Sequence, residues 1–517
     1  MTGLPGAVPP AVGLARSLPG RPAWLPAGGL DAGDFRRIAE NGFGDGLNSY
    51  AHSMVWFQDH LYVGTSRGTM SMIRANQPPP AFTFWPTLTP DNVYDLDRRA
   101  HIWRYDPRAD RWALAYISPM VVGRTGDTVA RDIGYRGMSV GQAPDDPAPS
   151  LYVCTWSSSK GLPPLIMRSR DGHTFEDLAR PGWKDPSINT FRTLEPFNGR
   201  FFTTPTGRTA GYGQAAECVA EVPVVFATDS PAGGVWVEAS PPGFGDATNL
   251  TVFEMCRFNG FLYAGTLNPE RGCQIWKTDA AGQPPYEWRR VITDGAFRGQ
   301  ANEVAASMCA FKDALYVGTG VVNGGYDRTR RIGPAAAELI RIHPDDSWDL
   351  VVGTPRQTPL GFKYPLSGTG PGFDRLFNGY FWRMVAHDGW IYLGTYNWAV
   401  LLPFMPVATW PENVRQLFDW VGVDTLVNND AGFDLWRSWD GIDWTCVTSN
   451  GFDNPYNWGV RTMASTRYGL FLGTANPFGP DIATRNAEGG WSYQPNPRGA
   501  LEVWQGRSPS GSEGERA

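Results

Sequence analysis

Leu61-Tyr62-Val63-Gly64-Thr65 is the first of seven copies of one phrase. It returns as Leu151-Tyr152-Val153-Cys154-Thr155, as a degenerate Phe201-Phe202-Thr203-Thr204, and as Leu262-Tyr263-Ala264-Gly265-Thr266. The later copies are Leu315-Tyr316-Val317-Gly318-Thr319, Ile391-Tyr392-Leu393-Gly394-Thr395 and Leu470-Phe471-Leu472-Gly473-Thr474. Apolar and β-branched residues between turn signals read as strands. A self-similar unit of this length reads as an array of equal sheets.

Each copy sits inside the same four-part unit. An apolar run ending in Met or Leu precedes it (Met54, Met138, Leu194, Met255, Met308, Met384, Met463), across a turn such as Asn259-Gly260 or Asp388-Gly389. A third segment follows, for example Ile102-Trp103-Arg104, Ile275-Trp276-Lys277 or Leu435-Trp436-Arg437. The fourth opens on an aromatic: Trp112, Phe175, Trp236, Trp288, Trp348 and Trp444. This pattern predicts four-stranded antiparallel sheets. The Gly of the second strand predicts a close approach of neighbouring sheets.

The seventh unit has no fourth strand after Trp504. Phe35-Arg36-Arg37-Ile38-Ala39-Glu40-Asn41-Gly42 reads like Trp288-Arg289-Arg290-Val291-Ile292-Thr293-Asp294-Gly295, so the start of the chain is expected to complete the last sheet. The prediction is an all-β, seven-bladed β-propeller over residues 31–505, closed near Phe35 to Ile38, with no exposed sheet edges.

Two turns, Ser169-Arg170-Asp171-Gly172-His173-Thr174-Phe175 and Ser438-Trp439-Asp440-Gly441-Ile442-Asp443-Trp444, resemble the Ser-x-Asp-x-Gly-x-Thr-Trp turn of Asp-box (sialidase-like) propellers shortened by one residue. The strand grammar is also similar to that of kelch-like propellers. The resemblance covers most of the chain as a fold. It implies a structural role for the Asp turns, away from the active face, and it names no enzyme.

Composition narrows the classes. The 517 residues carry a net charge of −6, which gives no reason to expect nucleic acid or an anionic membrane as partner. Residues 1–30 read as an extended Pro/Gly/Ala-rich segment without the apolar core of a signal peptide. No run approaches the length of a spanning helix. A cytoplasmic location is the expectation. None of the 6 Cys forms a C-x-x-C pair, which favours buried free thiols over zinc or disulfides. Residues 506–517 read as a disordered tail.

In a propeller the loops entering the inner strands and leaving the second strands share one face, where the channel opens. What all units repeat there is architecture; what differs at an equivalent place is a candidate for function. An amide or carboxylate recurs six residues before the Met: Asn48, Asp132, Asn249, Asn302, Asn378 and Asn457, with Asn189 five before Leu194. These side chains either cap their own turns or present a ring of oxygens to Ca2+. Calcium lactonase-type propellers carry Asn and Asp near this place.

The variable register lies two residues before the Met: His52, Arg136, Arg192, Phe253, Ala306, Trp382 and Arg461. The next residue is Glu254 in the fourth unit and Arg383 in the sixth. Converging guanidinium groups would hold a carboxylate, sulfate or phosphate. By analogy, Arg136, Arg192 and Arg461 are similar to the three-arginine clamp of sialidases. Arg383, Trp382, Tyr50 and Tyr380 complete the candidate binding set. His52, Glu254 and Tyr135 are the candidates for proton transfer. Only His52 stands at a suitable inner-strand position, which argues against four-histidine iron propellers.

Long loops are expected near 66–100, 320–337 and 396–432. Within the last, Val414, Leu417, Phe418 and Val421 have helical spacing. The first and last loops are expected to meet over the channel mouth as a lid, or else to pack on the rim or against another subunit. The resulting expectation is a pocket that binds a small organic anion, such as an acidic sugar or secondary metabolite, with lyase, hydrolase or cyclase chemistry open. A noncatalytic protein scaffold and a calcium-dependent, lactonase-like hydrolase are the alternatives.

Overall fold

The computed structural model describes residues 28–76, 82–178, 188–206, 223–327, 330–406, 410 and 412–508. Most of segment 1–30 and of tail 506–517 therefore lies outside the described residues. The described chain is mostly strand, gathered into one large antiparallel sheet system. No described helix is long and apolar enough to cross a membrane.

Each repeat forms one antiparallel ladder of four strands. The first runs Asn48–Phe57, His60–Arg67, His101–Asp106 and Arg111–Ile117. The fourth runs Thr251–Phe258, Phe261–Leu267, Ile275–Thr278 and Arg289–Ile292. In the last ladder Gly459–Thr466, Gly469–Ala475 and Val503–Gly506 are completed by Phe35–Ala39, which pairs antiparallel with Val503–Gly506. Single residue pairs link neighbouring ladders, among them Ser66 with Gly134 and Tyr396 with Gly459. Tyr50 with Ala475 links the last ladder to the first.

The glycines of the repeated phrase explain how closely the ladders meet. A Cβ on Gly64 would lie 2.7 Å from Tyr135 Cβ, and one on Gly394 would lie 2.4 Å from Val460 Cβ. Each glycine faces the next inner strand three residues before its Met. That register (Ala51, Tyr135, Ala305, Phe381, Val460) is fully buried.

The loops entering the inner strands share one device. Gly42-Phe43, Gly243-Phe244, Gly295-Ala296, Gly372-Phe373 and Gly451-Phe452 all have left-handed backbone. A bulky residue there is strained, and side chains offset the strain. Asn48, Asn249, Asn302, Asn378 and Asn457 donate Nδ2 to the glycine carbonyl at 2.8–3.0 Å. The phenylalanines stack on the next ladder's tryptophan, as Phe373 does on Trp436 at 4.1 Å between centroids.

These bonds favour the capping account of the amide ring over the calcium account. Besides capping, the Oδ1 atoms of Asn48, Asn249, Asn302, Asn378 and Asn457 accept from Arg67, Asn268, Thr319, Asn397 and Asn476. Asp132 accepts from Arg131 at 2.9 Å. Only Asn189 Oδ1 lacks a partner among the described residues, and one oxygen is not a ring. The two Asp turns show a matching pattern: Asp171 Oδ1 accepts from the backbone of His173 and Thr174, and Asp440 Oδ1 from Ile442 and Asp443.

Candidate functional site

Every inner strand is interrupted at the same place. Pairing skips one residue at His52, Arg136, Phe253, Ala306, Trp382 and Arg461, and two at Arg192-Thr193. A β-bulge turns its extra residue out of the sheet's alternation. The bulged residues are the variable register of the sequence. The residue before each bulge stays between the ladders, while the bulged one faces a central cavity.

That cavity has two chambers sharing His52, Arg136, Arg192, Phe253, Trp382 and Arg461 in their walls. The inner chamber, about 170 Å3, adds Glu195, Glu254, Arg383, Met54, Met138 and Met463. The outer chamber, about 130 Å3, adds Tyr50, Trp156, Tyr380, Tyr396 and Trp458. Met72 and Ile73 of helix Thr69–Asn76 also border it, as does Gly324 of Val322–Gly325, so the first and middle insertions contribute to the wall.

Cations dominate the inner chamber. Arg192 donates Nε to the Phe253 carbonyl at 2.9 Å and stacks on the Phe253 ring. Arg136 faces Trp156 and Arg461 faces Trp382, at 5.5 and 5.4 Å from the ring centroids. Burial pulls the Arg461 guanidinium well below its ordinary value, and Arg383, Arg136 and Arg192 add to this. Burial and the same surrounding charges, with Arg461 foremost, hold His52 well below the usual imidazole range. His52 is thus neutral, and its Nδ1 has no hydrogen-bond partner among the described residues.

Two carboxylates balance part of this charge. Glu254 lies 3.6 Å from Arg383. Glu195 pairs with Arg257 at 2.5 Å, yet burial, helped by nearby Glu254, pushes its carboxyl up to about 7. Among the described residues, no cluster of three or more His, Cys, Asp or Glu could hold a metal.

The structure thus brings together His52, Arg136, Arg192, Trp382 and Arg461, with Glu254 and Arg383 in the inner chamber and Tyr50 and Tyr380 in the outer one. Tyr135 needs correction as a proton-transfer candidate. It precedes the bulge, is fully buried among Tyr62, Ile102 and Val153, and lines neither chamber. None of the seven Asn/Asp ring residues lines either chamber. Sequence reading missed Glu195, Trp156, Tyr396 and Trp458. The signal for two of them was present, because the residue after the repeated Thr varies: Ser66, Trp156, Leu267, Gly320, Tyr396 and Ala475.

The first and last insertions touch. Thr83 donates both its N–H and its hydroxyl to the Phe404 carbonyl, at 2.7 and 3.0 Å. Helices Glu412–Val421 and Val423–Asp430 follow Phe404. A hairpin that sequence reading missed, Asp481–Arg485 with Trp491–Pro495, bonds to the first insertion through Ala483 N–H to Pro86 O and Tyr493 OH to Trp85 O, and its Trp491 packs on Phe404 of the last. A separate cavity of about 990 Å3 lies between this hairpin and the last insertion. It contains none of the predicted site residues.

No protein-family model and no curated protein matches this chain. Among solved structures, it is similar to the GH74 xyloglucanase from Xanthomonas campestris, at 11% identity and a TM-score of 0.44, over 89% of this chain and 55% of that one. It is similar to virginiamycin B lyase from Staphylococcus aureus at 8% identity and TM-score 0.36, over 72% and 94%. A puromycin-hydrolyzing peptidase from Mycobacterium tuberculosis matches at 10% and 0.41, over 89% and 54%. This chain spans little more than half the length of the first and third. With every TM-score below 0.5, nothing about the site rests on these likenesses.

Proposed function

We propose that the ladders close into a seven-bladed β-propeller of the Asp-box or kelch-like kind, spanning residues 31–505, whose central pocket binds a small organic anion with an apolar part. One observation carries this reading: Arg136, Arg192, Arg383 and Arg461 line a single chamber against the two carboxylates Glu195 and Glu254. Desolvated like charges repel strongly, so gathering them is costly, and an anionic ligand offsets that cost. The aromatic walls of the outer chamber take the apolar part, and the insertions over the mouth serve as a lid. If the ligand is transformed, neutral His52 serves as base and Glu195, whose proton affinity burial raises, as acid, in lyase, hydrolase or cyclase chemistry.

The test compares 2-naphthoate with its neutral isostere 2-naphthamide by tryptophan fluorescence. The reading predicts that naphthoate binds, that naphthamide binds at least about tenfold more weakly, and that Arg383→Ala erases the difference. Equal binding of both would sink it.

A further inference from the structure

Glu254 is at odds with its surroundings. It contributes a carboxylate to a chamber otherwise organised for anions, and it is poorly engaged there. Its Oε2 stands 3.6 Å from Arg383, beyond hydrogen-bond reach. Its Oε1 accepts one long bond, 3.3 Å, from the Met255 N–H. Arg383 is left equally incomplete, because its buried Nε has no hydrogen-bond partner among the described residues. A carboxylate and a guanidinium this close normally close into a paired fork. Here both line the same cavity, and because the Arg383 Nε is shielded, the terminal guanidinium nitrogens are the donors a ligand can reach.

The neighbours decide what can fill the gap. Glu195 faces Glu254 from the preceding inner strand and holds Arg257. Arg383 stands on the other side, and Arg461, Arg192, Arg136 and neutral His52 complete the wall. A second anion on Glu254 would be repelled, so the ligand group reaching it must be a proton donor. An ammonium would donate but would enter a chamber of four arginines, where its charge is disfavoured. A neutral hydroxyl meets both demands.

Resting on the pocket reading above, we infer that the ligand is a hydroxycarboxylate: its carboxylate takes the open edge of Arg383, and an adjacent hydroxyl donates to Glu254. Glu254 is then the specificity-determining residue of the site. The inner chamber, about 170 Å3, has room for such a head group, and the aromatic outer chamber holds the remainder.

Three probes sharing one phenyl ring separate the possibilities by calorimetry at pH 7.5: mandelate carries an α-hydroxyl, phenylacetate carries hydrogen, and phenylglycine carries an ammonium. The wild-type protein is expected to bind mandelate at least about tenfold more tightly than phenylacetate, with phenylglycine weakest, because a hydrogen bond to a charged acceptor is lost or a cation is buried among cations. Glu254→Leu should remove the preference for mandelate over phenylacetate and tighten phenylacetate itself. Equal wild-type affinities for mandelate and phenylacetate overturn the inference without any variant. So does a mandelate preference that survives in Glu254→Leu or, should that variant fold poorly, in Glu254→Gln. Phenylacetate binding that needs Arg383 but ignores the hydroxyl would leave the anion pocket standing and this inference alone refuted. Failure of all three probes to bind would remove both.

Discussion

The guanidinium carbon of Arg192 lies 3.3 Å from the ring centroid of Phe253, while its Nε donates to that residue's own carbonyl. The two occupy bulges in adjacent inner strands, so one blade holds the cation that its neighbour projects. Phe253→Leu keeps an apolar side chain, somewhat smaller, and removes the π face. A cation–π contact contributes about 0.5–2 kcal/mol, so anion affinity should fall by about 2- to 30-fold with Arg192 still present. Calorimetry on Phe253→Leu, Arg192→Ala and the double variant checks this. The losses must be non-additive; simple addition would mean that Phe253 does not act through Arg192.

Arg461 should be a liability to the empty protein. Its guanidinium is buried near three other arginines, and no hydrogen bond or ion pair engages it among the described residues. Arg461→Met keeps the length of the side chain and removes the charge. Replacing a buried charge by an apolar group of similar shape is often neutral or stabilising. The melting temperature of the variant should therefore equal or exceed that of the wild type, while affinity for an anionic probe falls at least about tenfold. A lower melting temperature with unchanged affinity would make Arg461 a structural residue.

Much of this was legible in the sequence because the chain supplies its own comparison. Repeated phrases located the strands, and Phe35–Ala39 was recognisable as the missing partner of Val503–Gly506. The register of His52, Arg136, Arg192 and Arg461 was legible as variable, but not the reason those residues reach the cavity. That reason is the bulge, which carries no residue signature, since arginine, histidine, alanine and aromatic residues all occupy it. Strand alternation alone sets Tyr135 and Arg136 on opposite faces; the bulge adds the turn that carries Arg136 to the cavity wall while Tyr135 stays in the core. Glu195 escaped notice because it follows Leu194, on the inner side of the register that was compared, and its raised proton affinity depends on Glu254 of the next strand.

Glu303 gives the fold a pH dependence of its own. It is fully buried near Asp327, and burial, reinforced by that carboxylate, raises it from an ordinary value near 4.5 to about 8. The native protein therefore holds a proton that the unfolded chain has released between about pH 4.5 and 8. Stability from this group is complete below pH 4.5 and is lost as pH rises through the window. Glu303→Gln mimics the protonated form at every pH. Urea unfolding at pH 5, 6.5 and 8 should show the variant gaining on the wild type with each step, by on the order of 2–4 kcal/mol in all. Parallel curves would show that Glu303 is ionised throughout.

The interlocking of the sheets can be tested at one atom. Gly394 sits in the repeated phrase, and an added Cβ would come within 2.4 Å of Val460 Cβ, far inside van der Waals contact. Val460 belongs to the fully buried register before the bulge, so it cannot swing aside without moving the inner strand that carries Arg461. Overpacking of this kind costs about 1–3 kcal/mol, occasionally more. Gly394→Ala should accordingly lower the melting temperature, and Val460→Ala in the same chain should restore only a small part of it, because it removes the Cγ atoms at 2.6 and 2.9 Å but keeps the Cβ at 2.4 Å. Gly33→Ala, where no atom lies within 4 Å of the new Cβ, serves as the control and should change nothing. The same experiment reads the site: if the sixth and seventh ladders press together as the glycine contact implies, Gly394→Ala must also weaken anion binding through Arg461, and the rescue by Val460→Ala must restore both together. Rescue of stability alone would separate the packing of the blades from the positioning of the arginines.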